Sequence, residues 1–207
     1  MTTERTPEGQ RFETILTMLS SPTMPKISFP EADGIMKLFT ENELMLIFVL
    51  SKSGTSLNAK QVLDILVLDL YQSLIDKKHE AKLWPYNVSA GITDTDKKRF
   101  EKIFLKYFSK VMEKPIKSSD LKRGYLVGFK FKTIEAIRKT IVETGIAQIP
   151  SYTTIKRTLD YLCSFGFIVR RETAFRHEKM IYALSPRFYA IVRMWEGKVD
   201  IDNHYLF

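Results

Sequence analysis

The sequence predicts a mainly α-helical fold carrying one small β-hairpin, and three observations support this. Apolar residues recur at helical spacing along most of the 207-residue chain. After Gly166, residues 167–173 and 179–184 read as two short strands around the polar tip Ala174, Phe175, Arg176, His177 and Glu178. Strand-like alternation otherwise occurs only in GYLVGFKFK, between Leu126 and Lys132.

Residues 1–30 are rich in Thr, Ser, Pro and charge, with one apolar patch at Phe12, Ile15, Leu16 and Leu19 that predicts a short helix. A helix over 41–51 follows, with Thr40 as N-cap, Glu43 as its capping-box partner and Gly54 beyond its end. The next helix, 58–77, is apolar at Val62, Leu63, Leu66, Val67, Leu70, Tyr71 and Leu74, and also at Ile65 and Leu68. That surface is too wide for a one-sided helix, which predicts packing against two neighbours or against a second copy. KKHEAKLWPYNVSAGITDTD reads as a connection. Residues 96–113 form a strongly periodic helix, with Phe100, Ile103, Phe104, Tyr107, Phe108 and Val111 on one face, stopped by Pro115. Residues 133–144 form another, apolar at Ile134, Ile137 and Ile141 and ended by Gly145. Ser151 then caps a helix over 152–165 with the apolar stripe Ile155, Leu159, Leu162 and Cys163, where the cysteine reads as a small buried side chain. Pro186 opens a last helix over 187–195, with Ser185 as its cap.

A hydrophobic content of 44% supports a folded chain. One cysteine excludes an intrachain disulfide framework, and three dispersed histidines (His79, His177, His204) do not suggest a metal cluster. The start of the chain lacks a signal-peptide pattern and no apolar run is long enough to span a membrane, so an intracellular, cytoplasmic protein is expected. Residues 1–96 hold 9 Lys and Arg against 13 Asp and Glu, whereas 97–207 hold 23 against 11. Such an asymmetry fits a polyanion partner for the C-terminal half, because clustered cations gain affinity by releasing counterions from phosphates. The carboxylate pairs Asp94/Asp96 and Asp200/Asp202 fall at a helix start and in a tail, and no phosphate-cradling or nucleophile-elbow phrase occurs. The expectation is therefore a non-enzyme, without catalytic residues, cofactor or metal.

Read together, TIEAIRKTIVETG, IAQIP, SYTTIKRTLDYLCSFGFI and VRRETAFRHEKMIYALSP give the order helix, turn, helix, two-stranded hairpin. The phrase Leu162 to Ile168, with Gly166 inside it, and the exit phrase Tyr182, Ala183, Leu184, Ser185, Pro186 strengthen the pattern. Over roughly residues 133–196 the chain resembles a winged helix-turn-helix DNA-binding domain. The resemblance implies that helix 152–165 enters the major groove of double-stranded DNA, with Ser151, Tyr152, Thr153, Lys156 and Arg157 at or near base edges. It implies that Arg170, Arg171, Arg176 and Lys179, on the wing 167–184, hold phosphates or probe the minor groove. It also makes 96–113 the first helix of the domain, with GYLVGFKF inserted after it.

The expected architecture is a helical N-terminal module, 1–93, supplying dimerisation, and a winged helix-turn-helix domain with C-terminal helix and tail, 94–207. The expected function is sequence-specific binding of double-stranded DNA as a homodimeric transcriptional regulator. Two alternatives stand: a plasmid or viral replication initiator, and an adaptor whose winged helix contacts a transcription or replication machinery without DNA. No membrane partner is expected.

Overall fold

The computed structural model describes residues 10–23, 26–75, 93–112, 131–172 and 180–197, without the side chains of 75, 106–112 and 131–133. Within them the protein is mainly helical, with eight helices and one two-stranded antiparallel sheet: α1 (Glu13–Ser20), α2 (Phe29–Met36), α3 (Glu41–Ser53), α4 (Ala59–Ile75), α5 (Asp94–Met112), α6 (Phe131–Glu143), α7 (Tyr152–Ser164), β1 (Ile168–Arg171), β2 (Ile181–Leu184) and α8 (Pro186–Trp195). The expected connection near 77–96, most of GYLVGFKFK, the hairpin tip with Arg176, His177 and Lys179, and the C-terminal tail lie outside the described residues. Phe131 and Lys132, the end of the GYLVGFKFK segment, belong to α6 and not to a strand.

The chain divides into two compact units, one formed by Met1–Ala59 with Ile155–Phe207, the other by Lys60–Thr154. The division cuts the first turns of α4 and α7, whereas the sequence placed its boundary at 93/94. The N-terminal 59 residues thus fold with the C-terminal segment that carries the hairpin.

In the first unit, α3 shows how the local sequence fixes an element. Thr40 Oγ1 accepts from the Glu43 N–H at 3.4 Å, and Glu43 Oε2 accepts from the Thr40 N–H at 2.6 Å, closing a capping box. Gly54 ends the helix in the left-handed region at φ 62°. The buried Glu43 carboxylate also pairs with Arg11 at 2.6 Å, which ties the start of the chain to α3. Helix α2, which the apolar periodicity did not disclose, is opened by its own box, Ser28 with Glu31, and by Pro30 in its first turn.

The core of this unit is a cluster of aromatic rings drawn from distant parts of the sequence. Phe12 meets Phe39 at 5.0 Å, Phe165 at 5.1 Å and Phe167 at 4.9 Å, and Phe167 meets Phe188 at 4.9 Å. Helix α8 packs on α2 and α3. From α8, Trp195 Nε1 donates to Asp33 Oδ1 at 3.3 Å, and Arg187 donates to the Leu19 carbonyl at 2.7 Å and to that of Ser21. A guanidinium on the last carbonyls of α1 satisfies acceptors that a helix end leaves orphaned.

The sheet pairs Ile168 with Leu184 through Arg171 with Ile181. Leu57, between α3 and α4, exchanges both backbone hydrogen bonds with Tyr182, at 2.9 and 2.8 Å, and so adds a one-residue third rung. The helix that precedes this rung in sequence is α3, which lies in the same unit. Helix α5, which the resemblance made the first helix of the hairpin-bearing domain, falls in the other unit.

In the second unit, α5 packs on α6, and Tyr71 of α4 meets Phe100 and Phe104 of α5 at 6.0 and 5.4 Å. Along α4, Val62, Leu63, Leu66, Val67, Leu70, Tyr71 and Leu74 are all buried. Ile65 and Leu68, which widen the apolar surface beyond one stripe, are half-buried. Ile134, Ile137 and Ile141 form the buried stripe of α6.

Candidate nucleic-acid interface

Helix α7 separates its two faces cleanly. Ile155, Leu159 and Leu162 are fully buried, whereas Tyr152, Thr153, Lys156 and Arg157 are exposed. Ser151 performs the capping role its position suggests: its Oγ accepts from the Thr154 N–H at 3.2 Å and lies 3.0 Å from Thr154 Oγ1. Its hydroxyl is thus engaged in starting the helix. Ser151 to Thr154 fall within the Lys60–Thr154 unit, and the rest of α7 belongs with the sheet.

The turn before α7 is held by Arg138 of α6. Its Nε donates to Glu135 at 2.7 Å and its Nη1 to the Ile149 carbonyl at 3.0 Å. The C-terminus of α7 closes with Phe167 N–H donating to Leu162 O at 3.2 Å and Gly166 N–H to Cys163 O at 3.0 Å. This arrangement needs a left-handed residue at its corner, which Gly166 supplies at φ 75°. Phe167 is thereby fed into the aromatic core and Ile168 begins β1 facing inward, while Val169, Arg170 and Arg171 are exposed.

Asp160 organises the junction between α7 and the sheet. Tyr182, whose ring is buried, donates its hydroxyl to Asp160 Oδ1 at 3.0 Å, and Arg170 Nη1 lies 3.6 Å from the same oxygen. Burial, then the hydrogen bond and charge of Asp160, push the Tyr182 hydroxyl well above the ordinary tyrosine range, so it remains a donor at every physiological pH. The Arg170 pair is solvent-exposed on both sides and is therefore worth only about 0–1 kcal/mol. A cation held that weakly is available to a phosphate. The sequence marks Asp160 only as a polar-face residue. The signals that could have found it are its position four residues after Lys156 and the tyrosine of the exit phrase.

Lys156, Arg157, Arg170 and Arg171 thus lie exposed on the first unit, whereas Arg176 and Lys179 lie outside the described residues. Cys163 departs from expectation. It is half-buried beside the stripe, and burial, with Asp160 adding to it, pushes its thiol up to about 11. A thiol in that state is a poor nucleophile at neutral pH.

The charge distribution also shifts when read on the folded units. The sheet-bearing unit holds 14 Lys and Arg against 13 Asp and Glu, and Lys60–Thr154 holds 18 against 11. The basic character of the α7–β1 surface is local, set by four exposed cations and not by a basic unit. Among the described residues, no group of three His, Cys, Asp or Glu could hold a metal ion, and no helix is long and apolar enough to cross a membrane. Comparisons with protein families, curated proteins and solved structures find no match.

Proposed function

We propose that the protein is a winged helix-turn-helix protein that binds double-stranded DNA, α7 lying in the major groove and β1 against the backbone, and that it serves as a transcriptional regulator. The observation that carries this reading is the exposure of Lys156 and Arg157 on α7 and of Arg170 and Arg171 on β1, above a fully buried apolar stripe. Arg and Lys at such positions read guanine edges or neutralise phosphates. The Tyr182–Asp160 hydrogen bond joins the sheet to α7, and Arg170 approaches the same carboxylate, which sets Arg170 beside the exposed face of the helix. A replication initiator would use the same chemistry.

Fluorescence anisotropy with labelled duplexes, after selection of a preferred site from a random pool, tests the reading. Lys156→Ala or Arg157→Ala is expected to cost about 1–3 kcal/mol on the preferred site if the side chain reads a base. Arg170→Ala is expected to weaken binding on all duplexes and to flatten the salt dependence by about one unit. Absence of binding at low salt would overturn the proposal.

A second reading, a protein-interaction adaptor, is favoured by one observation: the unit bearing the surface is almost neutral and exposes Val169 on β1. An adaptor would retain its partner in salt concentrations that strip DNA.

A further inference from the structure

Helix α5, in the Lys60–Thr154 unit, carries a row of cations of its own. Lys98, Arg99 and Lys102 are exposed, while Phe100 and Phe104 are buried, so the helix turns its charge to solvent and its rings inward. Lys98 and Lys102 stand four residues apart on one face, and the sequence repeats that spacing at Lys106 and Lys110. At the helical rise, Lys98 to Lys110 covers about 18 Å. Like charges spaced this way destabilise a helix by a few tenths of a kcal/mol per pair, a cost that an anionic partner reverses.

Within the helix, Asp96 lies near enough to Arg99 for their charges to interact. Asp96 is committed to the helix start, accepting from the Thr93 N–H at 3.0 Å and the Thr93 hydroxyl at 2.6 Å. Among the described residues Lys98 and Lys102 have no carboxylate within ion-pair distance. The unit that contains α5 holds nearly all the chain's positive excess, 18 Lys and Arg against 11 Asp and Glu.

We infer that α5 is a second, sequence-independent nucleic-acid contact, holding duplex phosphates through Lys98, Arg99 and Lys102. The inference rests on the DNA-binding reading of the protein, and it assigns the bulk electrostatic attraction to α5 and discrimination to α7. A nucleic acid fits better than an anionic membrane. An interfacial helix needs an apolar face free to enter the lipid, and here Phe100 and Phe104 are already buried.

The test uses the full chain carrying Lys98→Gln, Arg99→Gln and Lys102→Gln together, titrated by anisotropy on the preferred duplex and on a random duplex across a salt series. Glutamine keeps helix propensity, and unchanged far-UV circular dichroism checks the fold. For every phosphate that the variant no longer neutralises, the log–log salt slope is expected to fall by about 0.9 and binding to weaken on the order of tenfold near 0.1 M salt, equally on both duplexes. A Lys98→Arg, Lys102→Arg variant is expected to bind like the unaltered chain. Unchanged affinity and slope in the triple glutamine variant would overturn the inference, as would weakened binding seen only on phosphatidylserine vesicles. If the triple variant binds DNA more weakly while Arg170→Ala and Lys156→Ala do not, the α7–β1 reading fails and the α5 contact stands. If the unaltered chain binds no duplex at low salt, both fail.

Discussion

Phe12 is the residue whose removal tests the discontinuous unit most directly. It is fully buried, and its ring faces Phe39, Phe165 and Phe167 at 4.9 to 5.1 Å, with Tyr161 at 6.4 Å. Phe12→Ala deletes a whole ring from a site walled by segments 27 to more than 150 residues away in sequence. Large-to-small changes of this kind cost about 3–5 kcal/mol, and the cost rises when the site cannot collapse. Four rings, Phe39 and three from residues 161–167, would have to move together to fill this space, so the upper part of that range is expected, about 4–5 kcal/mol. Urea unfolding followed by Trp195 fluorescence, in a Trp84→Phe background, reads the unit that contains Phe12. With a slope of about 2 kcal/mol/M, the midpoint falls by about 2 M. Phe12→Leu, which keeps most of the volume, is expected to lose less than half as much. A loss below about 1 kcal/mol for Phe12→Ala at unchanged slope would refute the packing of residues 10–59 with 155–197.

Glu43→Ala removes both the capping-box acceptor and the buried carboxylate that pairs with Arg11, and is expected to cost about 2–3 kcal/mol in the same assay. Glu43→Gln keeps an acceptor for the Thr40 N–H and should lose less; equal losses would show that the hydrogen-bonded geometry does not matter. In α4, Asp64 has a buried Oδ1 without a hydrogen-bond partner, and burial raises its carboxyl above the ordinary aspartate range. An acid raised in the folded state destabilises progressively as pH climbs from its unfolded value through its folded one, because the unfolded chain releases the proton first. Asp64→Asn is therefore expected to raise the urea midpoint followed by far-UV circular dichroism, which reads the helices of both units, at pH 7 and to lose that advantage by about pH 4. A gain that persists unchanged at low pH would point to packing and not to charge.

Much of the helical content was legible because it is written in local spacing. The α3 cap, with Thr40, Glu43 and Gly54, stands as read, and Gly145 and Gly166 end their helices with the positive φ that glycine tolerates. Helix α2 escaped because eight residues containing Gly34 and Pro30 give little periodicity, although the Ser28-x-x-Glu31 box was present as a signal. The partition of the chain was not legible. Hydrophobic periodicity says which face of a helix is covered but not by what, and Phe12 finds Phe167 only through the folded backbone. The same limit hid the pairing of Leu57 with Tyr182, since one residue cannot display alternation. On the candidate surface, exposure of Lys156, Arg157, Arg170 and Arg171 followed from pattern, whereas the part played by Asp160 required the distance to Tyr182.

The Arg187 clasp on the end of α1 has a consequence for how the chain is made. Residues 10–59 leave the ribosome early relative to their partners: the guanidinium that caps α1 and the ring of Phe188 that completes the core come more than a hundred residues later. At about 5–20 residues per second, that interval lasts on the order of ten seconds. During it Phe12 and Phe39 have each other but lack Phe165, Phe167 and Phe188. A nascent chain halted before residue 155 would expose those two rings, and residues 155–188 must be made before this unit can close.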